Sequence, residues 1–319
     1  MPEGPLTRRR ALALLCLAAA GSGAADPAAA DPAAAEPAAE PAAPEPAGAG
    51  AAPRRVAVLD WGATETVLAL GVRPVGVPQP AGYSRTVVAP ALPPDTLDLG
   101  LVVEPNLELL DAARPDLIVL SPLQEAGLSP LLARIAPTAV FAVYGPGGAP
   151  YERAGGETLR LAARLGREAA GRALAAETEA RIGRAAARLC GPRRPVYLVW
   201  IVDERNVVVY GRGSLFQAVL DRFRVANAWG GPANLWGFTS VGVEALTAEP
   251  EARIVHVGPI VSRGARALAG SAVWRSLAPV RAGRVATIPP VWFYGGLPAA
   301  GRFAELAGAA LAQADGCDG

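Results

Sequence analysis

The fold is decided by the segment ERAGGETLRLAARLGREAAGRALAAETEARIGRAAARL, residues 152–189. The segment contains no proline, and its leucines and alanines recur at helical spacing. We expect the Leu-Gly-Arg at 165–167 to interrupt it, so that a short helix precedes a long one at about 168–189. A helix of about 22 residues spans about 33 Å, close to the diameter of a small domain. The segment therefore predicts a stiff helical connection between two folded halves.

On both sides of this connection, short apolar strands alternate with helices. Before it, the sequence predicts strands at 55–60, 72–78, 115–121 and 138–144 and helices at 62–71, 106–113 and 129–137. After it come predicted strands at 196–202, 207–211 and 253–258 and helices at 214–223, 243–249 and 297–314. Such alternation is typical of parallel-rich sheets that carry helices on both faces.

The predicted fold class is α/β, with two three-layer α/β/α lobes joined by a single long helix. We expect an N-terminal lobe at 54–150, a short and a long connecting helix at 151–191, and a C-terminal lobe at 192–315. Small ligands commonly bind in clefts between domains, so the ligand site is expected between the lobes. A single stiff connector also predicts little hinge closure when a ligand binds.

Residues 1–25 have the layout of an export signal. Three arginines at 8–10 precede an apolar run at 11–20, and small residues follow. The run is shorter than the roughly 20 residues that a membrane-spanning helix needs. The arginines match the twin-arginine export motif in part, and an ordinary secretion signal is the alternative. Because Leu15 is too bulky for lipid attachment at Cys16, we expect a periplasmic protein without a lipid anchor.

The next segment, residues 26–53, is rich in proline, alanine and glutamate. It carries no apolar period and no bulky side chain, so it cannot bury enough surface to order itself. We expect a disordered linker between the export signal and the folded chain.

Charge and the chemistry-bearing residues exclude several classes of function. The net charge of +1 gives no electrostatic reason to bind nucleic acid. No Gly-x-Gly-x-x-Gly follows a strand and no nucleophile is spaced with a base, so we expect neither an enzyme nor a bound cofactor. The single histidine, His256, lies in an apolar run and is expected in the core, not in a metal site. Cys190 and Cys317 remain as an even pair, and either a disulfide or two free thiols is compatible with the sequence.

Near the C-terminus, the run PVWFYGG at 290–296 concentrates scarce residues. The whole chain has only six each of tryptophan, tyrosine and phenylalanine. In an extended segment, Trp292 and Tyr294 share one face and Phe293 takes the other. The run suits a buried strand, and it equally suits a pocket wall in which Phe293 faces the core.

Several spaced blocks, in a fixed order, carry a family resemblance. The blocks are LALGVRPVGV (68–77), DLGLVVEPNLELL (98–110), LLARIAP (131–137), SLFQAVLDRF (214–223), NAWGG (227–231), NLWGFTSVGVEAL (234–246), VRAGRV (280–285) and PVWFYGG. On these blocks the chain resembles the substrate-binding proteins of iron–siderophore and vitamin B12 ABC importers, over most of residues 54–310. Within that class it looks like the periplasmic binding proteins for ferrichrome-type hydroxamate siderophores. The resemblance implies capture of a ferric siderophore, with the hydroxamate type expected first, and its delivery to an inner-membrane permease.

The resemblance also implies a largely aromatic ligand pocket between the lobes. Trp236, Trp292 and Tyr294 match its aromatic residues by position. Two positions depart from the family pattern, because Val102 stands in place of a hydroxamate-binding arginine and Thr86 in place of another tryptophan. The half of the pocket on the C-terminal lobe is therefore kept, and the half on the N-terminal lobe is altered.

Two more residues are candidates for the altered half of the pocket. Arg85 is the nearest replacement for the missing arginine, although in a strand it would point away from the face of Thr86. Trp61 follows the first predicted strand and is expected to face the cleft. A pocket tyrosine of the family falls near Gln124 or Glu125, in a loop that does not align firmly.

The family further uses one exposed glutamate per lobe to meet arginines of the permease. Glu244 matches that position on the C-terminal lobe, and Glu125 matches it less closely on the N-terminal lobe. The implied partners are a ferric siderophore, an ABC permease and its ATPase, with the iron held by the siderophore and membrane contact only through the permease. We expect a monomer. The alternative within this uptake class is a cobalamin- or haem-binding protein, since cobalamin tolerates an aromatic cleft that has no arginine.

Overall fold

The computed structural model describes residues 52–191, 193–258 and 263–317. The predicted export signal at 1–25 and nearly all of the predicted linker at 26–53 lie outside these residues. Within the described ranges, no helix is long and apolar enough to cross a membrane.

The first half of the fold is a five-stranded parallel sheet, called here the first sheet. Its strands are β1 (Val56–Val58), β2 (Gly76–Val77), β3 (Leu97–Asp98), β4 (Leu117–Leu120) and β5 (Thr138–Val140). They lie in the order β3-β2-β1-β4-β5, with Ala57 of β1 paired to Gly76 on one side and to Ile118 on the other. Strands β1 and β4 are buried along their whole length, because helices cover both faces of the sheet.

The helices of this half are α1 (Trp61–Ala69), α2 (Pro80–Thr86), α3 (Leu107–Ala112) and α4 (Pro122–Leu132). The chain leaves β1 toward β2 and leaves β4 toward β5, so the direction of the connections reverses between these two central strands. In α/β sheets, ligands bind beyond the carboxyl ends of the strands at such a reversal. Trp61 and Pro122 begin the helices that follow β1 and β4, so a ligand site is expected close to these two residues.

The second half contains a mixed five-stranded sheet, called here the second sheet. Its strands are β6 (Val196–Ile201), β7 (Asn206–Tyr210), β8 (Phe238–Gly242), β9 (Arg253–Val257) and β10 (Val285–Ile288). The order is β10-β9-β6-β7-β8, in which β6, β9 and β10 run parallel and β7 and β8 run antiparallel to their neighbours. His256 on β9 is buried, as predicted, and burial lowers its pKa to about 4.

Two helices connect the sheets, α5 (Pro150–Arg164) and α6 (Glu168–Ala187). The predicted break is confirmed, since Gly166 takes a positive φ of 64° between them. The two helices pack closely, because a Cβ on Gly171 would lie only 2.6 Å from the Cβ of Ala162. The first helix is longer than the short one predicted, at 15 residues against 20 for the second.

The remaining helices cover the second sheet and return to the first. They are α7 (Leu215–Phe223), a 3-10 helix (Val243–Thr247), α8 (Arg263–Gly270), α9 (Ala272–Ser276), α10 (Ala278–Arg281) and α11 (Leu297–Asp315). Helix α11 packs against α6, α7, α5 and α1. The largest buried hydrophobic cluster accordingly includes Val56 and Val119 of the first sheet together with Leu198 and Val255 of the second.

One predicted helix has the wrong bounds. A helix was expected at 129–137, but α4 runs from Pro122 to Leu132 and contains Pro130 in its interior. It begins earlier because Ser121 and Gln124 form a capping box, in which each side chain bonds to the backbone of the other. The four elements α2, β3, β8 and β10 and the short helices α8–α10 were not predicted.

The structure forms the disulfide between Cys190 and Cys317 that the sequence left open. Their Cα atoms lie 5.7 Å apart. The bridge joins the chain just after α6 to the chain just after α11, two helices that also share the bidentate ion pair of Arg181 with Glu305.

Candidate functional site

Trp61 is fixed at the carboxyl end of β1 by its surroundings. It opens α1, whose N-cap is Asp60, and an Asp60 side-chain oxygen accepts a hydrogen bond of 2.8 Å from the backbone N–H of Ala63. Loss of hydration raises the pKa of Asp60 to about 6. The Trp61 indole N–H donates to the Pro78 carbonyl at 2.9 Å, and the Tyr83 ring meets the indole edge-on. The ring of Trp61 is thus held at the reversal point of the first sheet.

The run PVWFYGG follows β10 and forms a turn. The Gly295 N–H donates to the Trp292 carbonyl at 3.1 Å, which places Phe293 and Tyr294 in the middle of the turn. The expected alternation of an extended segment is therefore wrong, and the rings of Phe293 and Tyr294 lie only 4.0 Å apart. Phe293 nevertheless packs against the core, with its ring 5.5 Å from that of Tyr210.

Four aromatic side chains from both halves of the chain form one continuous row. The ring centroids of Trp61 and Trp292 are 5.1 Å apart, those of Trp292 and Tyr294 5.4 Å, and those of Tyr294 and Trp236 6.0 Å. We call Trp61, Trp292, Tyr294 and Trp236 the aromatic row. Trp236 keeps 39% of its surface exposed, so the row is open to solvent at that end. The structure thus brings together four of the residues that the sequence predicted for the site.

The row contains one unsatisfied polar group. The indole N–H of Trp292 is buried and has no hydrogen-bond partner among the residues that the structure describes. Leaving such a donor unpaired costs about 1–3 kcal/mol. An oxygen acceptor that reached this position would remove the cost.

Two residues that support the row were not predicted. The Tyr144 hydroxyl donates to the carbonyl of Phe293 and accepts from the backbone N–H of Leu215 at 3.4 Å, while its ring meets Tyr294 edge-on. Burial raises the pKa of Tyr144, so it stays a neutral phenol. Phe238 stacks on Trp236 with the ring planes 20° apart. Sequence offered only a weak signal for Tyr144, its place at the end of a predicted strand.

A buried amide ties the loop of Val102 to the end of β1. The Gln124 side chain is 5% exposed, and its N–H groups donate to the carbonyls of Leu59 and Val102, each at 2.8 Å. Val102 is half-buried, whereas its neighbours Leu101 and Val103 are 49% and 69% exposed. Where the resemblance led us to expect a guanidinium, this edge of the first sheet therefore presents aliphatic side chains.

Arg85 and Thr86 lie on a helix, not on a strand. Helix α2 packs its Gly82 against Trp61, since a Cβ there would lie 2.8 Å from the indole ring. Residues three and four positions apart lie on the same side of a helix, so Arg85 and Thr86 share the side of Gly82. Arg85 is exposed and Thr86 half-buried. The objection that a strand would turn Arg85 away from Thr86 therefore does not apply.

The turn is joined to α1 by a buried carboxyl group. Glu65 is 1% exposed, and its Oε1 accepts hydrogen bonds from the backbone N–H groups of Gly296, at 2.7 Å, and Ala299, at 3.2 Å. Burial raises the pKa of Glu65 to about 8, although the two backbone hydrogen bonds act in the opposite direction.

The two glutamates predicted to meet the permease are both exposed. Glu125 lies in the first turn of α4, and Glu244 lies in the 3-10 helix after β8. Glu244 also lines a surface cavity of about 790 Å³, together with Glu204 and Arg205. None of the residues lining this cavity belongs to the aromatic row. Across the described parts of the chain, no three His, Cys, Asp or Glu residues are grouped to hold a metal ion.

Comparison with known proteins adds a family and several relatives. The family model described as "periplasmic binding protein" matches residues 56–291. The Escherichia coli iron(3+)-hydroxamate-binding protein FhuD is 35% identical over 267 residues, which cover 81% of this chain and 87% of that protein.

Solved structures are similar as well. The Vibrio cholerae siderophore-binding protein FhuD, bound to Fe3+-Desferal, aligns with a TM-score of 0.74 and 28% identity over 81% of this chain and 98% of that one. The petrobactin-binding protein YclQ of Bacillus subtilis aligns with a TM-score of 0.67 over 82% of this chain and 92% of that one. At 19% identity, the second likeness concerns the fold alone.

Proposed function

The chain belongs to the periplasmic binding protein family, and from this premise we propose that it is the substrate-binding component of an ABC importer for a ferric siderophore of the hydroxamate type. The observation that carries the proposal is the aromatic row, which runs from Trp61 beside the first sheet to Trp236 beside the second. The iron(3+)-hydroxamate-binding protein FhuD of Escherichia coli, whose name states this ligand class, matches most of the chain.

The chemistry of the row fits a ferric hydroxamate. Such a complex encloses the iron and presents a largely apolar exterior studded with oxygen atoms, and wide aromatic faces bind such surfaces well. The unpaired indole N–H of Trp292 would find an acceptor among those oxygens.

Charge favours the same class of ligand. Three hydroxamates balance the charge of one ferric ion, whereas three catecholates leave the complex strongly anionic. The row begins beside the buried carboxyl group of Asp60, which with a pKa of about 6 is mostly ionised at neutral pH, and the position of the expected arginine is occupied by Val102. An anionic complex would be repelled at low local dielectric and would lack that cation as a partner. A neutral or cationic hydroxamate complex avoids both costs.

The loss of the arginine has a consequence for affinity. A guanidinium contributes charge-assisted hydrogen bonds to hydroxamate oxygens, each of about 1.5–3 kcal/mol. Arg85, on the side of α2 that packs near Trp61, is the candidate to supply part of that contribution. We propose Thr86 and Val102 as further ligand contacts of this altered half of the site.

A second candidate ligand is cobalamin, and one observation favours it. Leu101 and Val103 are exposed beside Val102, so this edge of the site is aliphatic. A bulky ligand that needs no cation would suit such an edge. Haem has weaker support, because it would require an iron ligand from the protein and Tyr294 is the one candidate in the row.

The remaining parts of the proposal concern partners and place. The protein would act in the periplasm as a monomer, would perform no catalysis and would bind no nucleic acid. It would present Glu125 and Glu244 to arginines of an inner-membrane permease that is coupled to an ATPase. Membrane contact would occur only through that permease.

Tryptophan fluorescence and thermal unfolding test the proposed ligand class. The purified protein is titrated with ferric desferrioxamine, a ferric tricatecholate, cobalamin and haemin, with the gallium complex of desferrioxamine as a control for quenching by iron. We expect saturable binding of the ferric and gallium hydroxamates, and about 2.7 kcal/mol of added stability at 100 times the Kd. Saturation by cobalamin alone would select the second candidate, and absence of any response to the hydroxamates would refute the first.

A further inference from the structure

We propose that Glu65 is a positioning residue of the ligand site, which holds the turn of Trp292 and Tyr294 against the helix that begins with Trp61. The inference rests on the proposed function for its ligand. It adds to that function a residue that lies outside the aromatic row and behind it.

The first observation is that α1 and the turn touch through their backbones. A Cβ on Gly62 would lie 2.4 Å from the carbonyl oxygen of Tyr294 and 3.3 Å from the Cα of Gly295. Distances below 3.0 Å leave no space for a side chain, so glycine permits this approach. The rings of Trp61 and Trp292 meet because these two backbones lie against each other.

The second observation is that Glu65 closes this contact from α1. Its Oε1 accepts from the N–H of Gly296, the N-cap residue of α11, and from the N–H of Ala299 in the first turn. The first N–H groups of a helix have no partner within the helix, and α11 has no side-chain cap of its own. A helix N-terminus normally receives its side-chain hydrogen-bond acceptor from a neighbouring residue in the sequence. Here the acceptor comes from Glu65, which lies 231 residues before Gly296.

The third observation concerns the charge state of the group. The groups that act on the Glu65 carboxyl are Asp60 at the start of α1 and Arg302 on α11. The Glu65 carboxyl also contributes to the raised pKa values of Tyr83 on α2 and of Tyr144. Because the pKa of Glu65 is raised to about 8, the carboxyl is mostly protonated at neutral pH. A neutral carboxyl keeps the acceptor oxygen, and a glutamine keeps it too.

The alternative is that Glu65 contributes to folding and has no influence on the ligand. Removing any buried group lowers stability, so a loss of binding in one variant does not decide the question. A stability-matched variant remote from the turn is needed. Leu311 serves, because it is 4% exposed on the C-terminal part of α11 and its truncation leaves a cavity there.

The experiment compares Glu65→Gln, Glu65→Ala and Leu311→Ala with the wild type. Each is titrated with gallium desferrioxamine, its thermal midpoint is measured, and its near-ultraviolet circular dichroism records the packing of the aromatic row. We expect Glu65→Ala to raise the Kd at least about ten-fold, equivalent to about 1.4 kcal/mol, and to alter the near-ultraviolet spectrum. Glu65→Gln should stay within about three-fold of the wild type, as should Leu311→Ala despite its lower midpoint.

Two results would overturn the inference. One is that Glu65→Ala binds like the wild type with an unchanged near-ultraviolet spectrum, and the other is that Leu311→Ala loses as much affinity at equal stability. A wild-type protein that binds no hydroxamate would instead refute the proposed function. In that case the near-ultraviolet spectra of the alanine and glutamine variants still test the positioning role, because they require no ligand.

Discussion

Trp61 and Trp292 pack with their ring centroids 5.1 Å apart, although 231 residues separate them in the sequence. Trp61 follows the first strand of the first sheet, and Trp292 follows the last strand of the second. The wall of the candidate site is therefore a joint between the two halves, and neither half contains it alone.

Replacing Trp292 with alanine is expected to weaken ligand binding by about ten- to a hundred-fold, or about 1.4–2.8 kcal/mol, since a central aromatic contact is lost. Trp274→Phe is the matched control, because it also removes one tryptophan but lies in a separate core cluster beneath the second sheet. Titration with gallium desferrioxamine gives the comparison. Wild-type affinity in Trp292→Ala would remove the aromatic row from the binding site.

Gly62→Ala is expected to displace the turn, because the new methyl group would meet the Tyr294 carbonyl oxygen at 2.4 Å. We predict a lower thermal midpoint and a Kd raised at least about ten-fold. Gly155→Ala on α5 is the control, since among the described residues no atom outside its chain neighbours and the adjacent backbone of its own helix lies within 4 Å of the new Cβ. That change should stabilise the helix by about 0.5–1 kcal/mol and leave binding unchanged. Equal affinities for the two variants would show that the backbone contact at Gly62 does not shape the site.

We expect the titration of Glu65 to contribute to the pH dependence of the free energy of unfolding. Its pKa rises on folding from the usual 4.5 to about 8, so the folded state holds a proton that the unfolded state releases. This contribution to the free energy of unfolding is complete below pH 4.5 and falls as pH rises toward 8, by up to about 1.4 kcal/mol per unit. Asp60 acts in the same direction between its usual 3.8 and about 6.

Urea denaturation of the wild type and Glu65→Gln at several pH values measures this effect. Glutamine does not titrate, so the unfolding free energy of the wild type should fall relative to that of the variant between pH 7 and 8, where Asp60, with a pKa of about 6, is mostly ionised. A difference that stays constant over that interval would show that Glu65 is ionised in the folded protein at neutral pH.

Charge reversal at Glu244 tests the proposed permease contact. Glu244→Arg should abolish siderophore uptake in cells while the purified protein binds its ligand as before, since Glu244 is exposed and lies outside the aromatic row. Glu177→Arg, which reverses an exposed charge on α6, controls for net charge. Uptake at the wild-type rate in Glu244→Arg would reject the contact.

Local patterns in the sequence predicted most of the architecture. The alternation of apolar strands with helices predicted both sheets, and the Leu-Gly-Arg at 165–167 predicted the break between α5 and α6. Strand β8 was missed because residues 238–242 read FTSVG, which contains no run of apolar residues. The start of α4 was readable from the capping residues Ser121 and Gln124, but the helix was predicted to begin only at residue 129.

The candidate site likewise contains residues that the sequence made recognisable and residues that it did not. The tryptophans and Tyr294 stand out by residue type and motif, whereas Gln124 and Glu65 look like ordinary polar residues of helices. Their roles depend on contacts with Val102 and Gly296, and only the folded chain brings those partners near. Domain boundaries at 54–150, 151–191 and 192–315 stay predictions.

The disulfide between Cys190 and Cys317 changes how the molecule would carry a mechanical load. If the chain is pulled between residues 52 and 317, tension passes from Cys190 straight to Cys317 through the sulfur atoms. The second sheet and the turn of Trp292 and Tyr294 lie inside this covalent ring, so they are shielded from the force. Stretching would then unfold the first sheet and the helices α5 and α6. The second half of the chain, which carries three of the four residues of the aromatic row, would stay folded because it bears no tension.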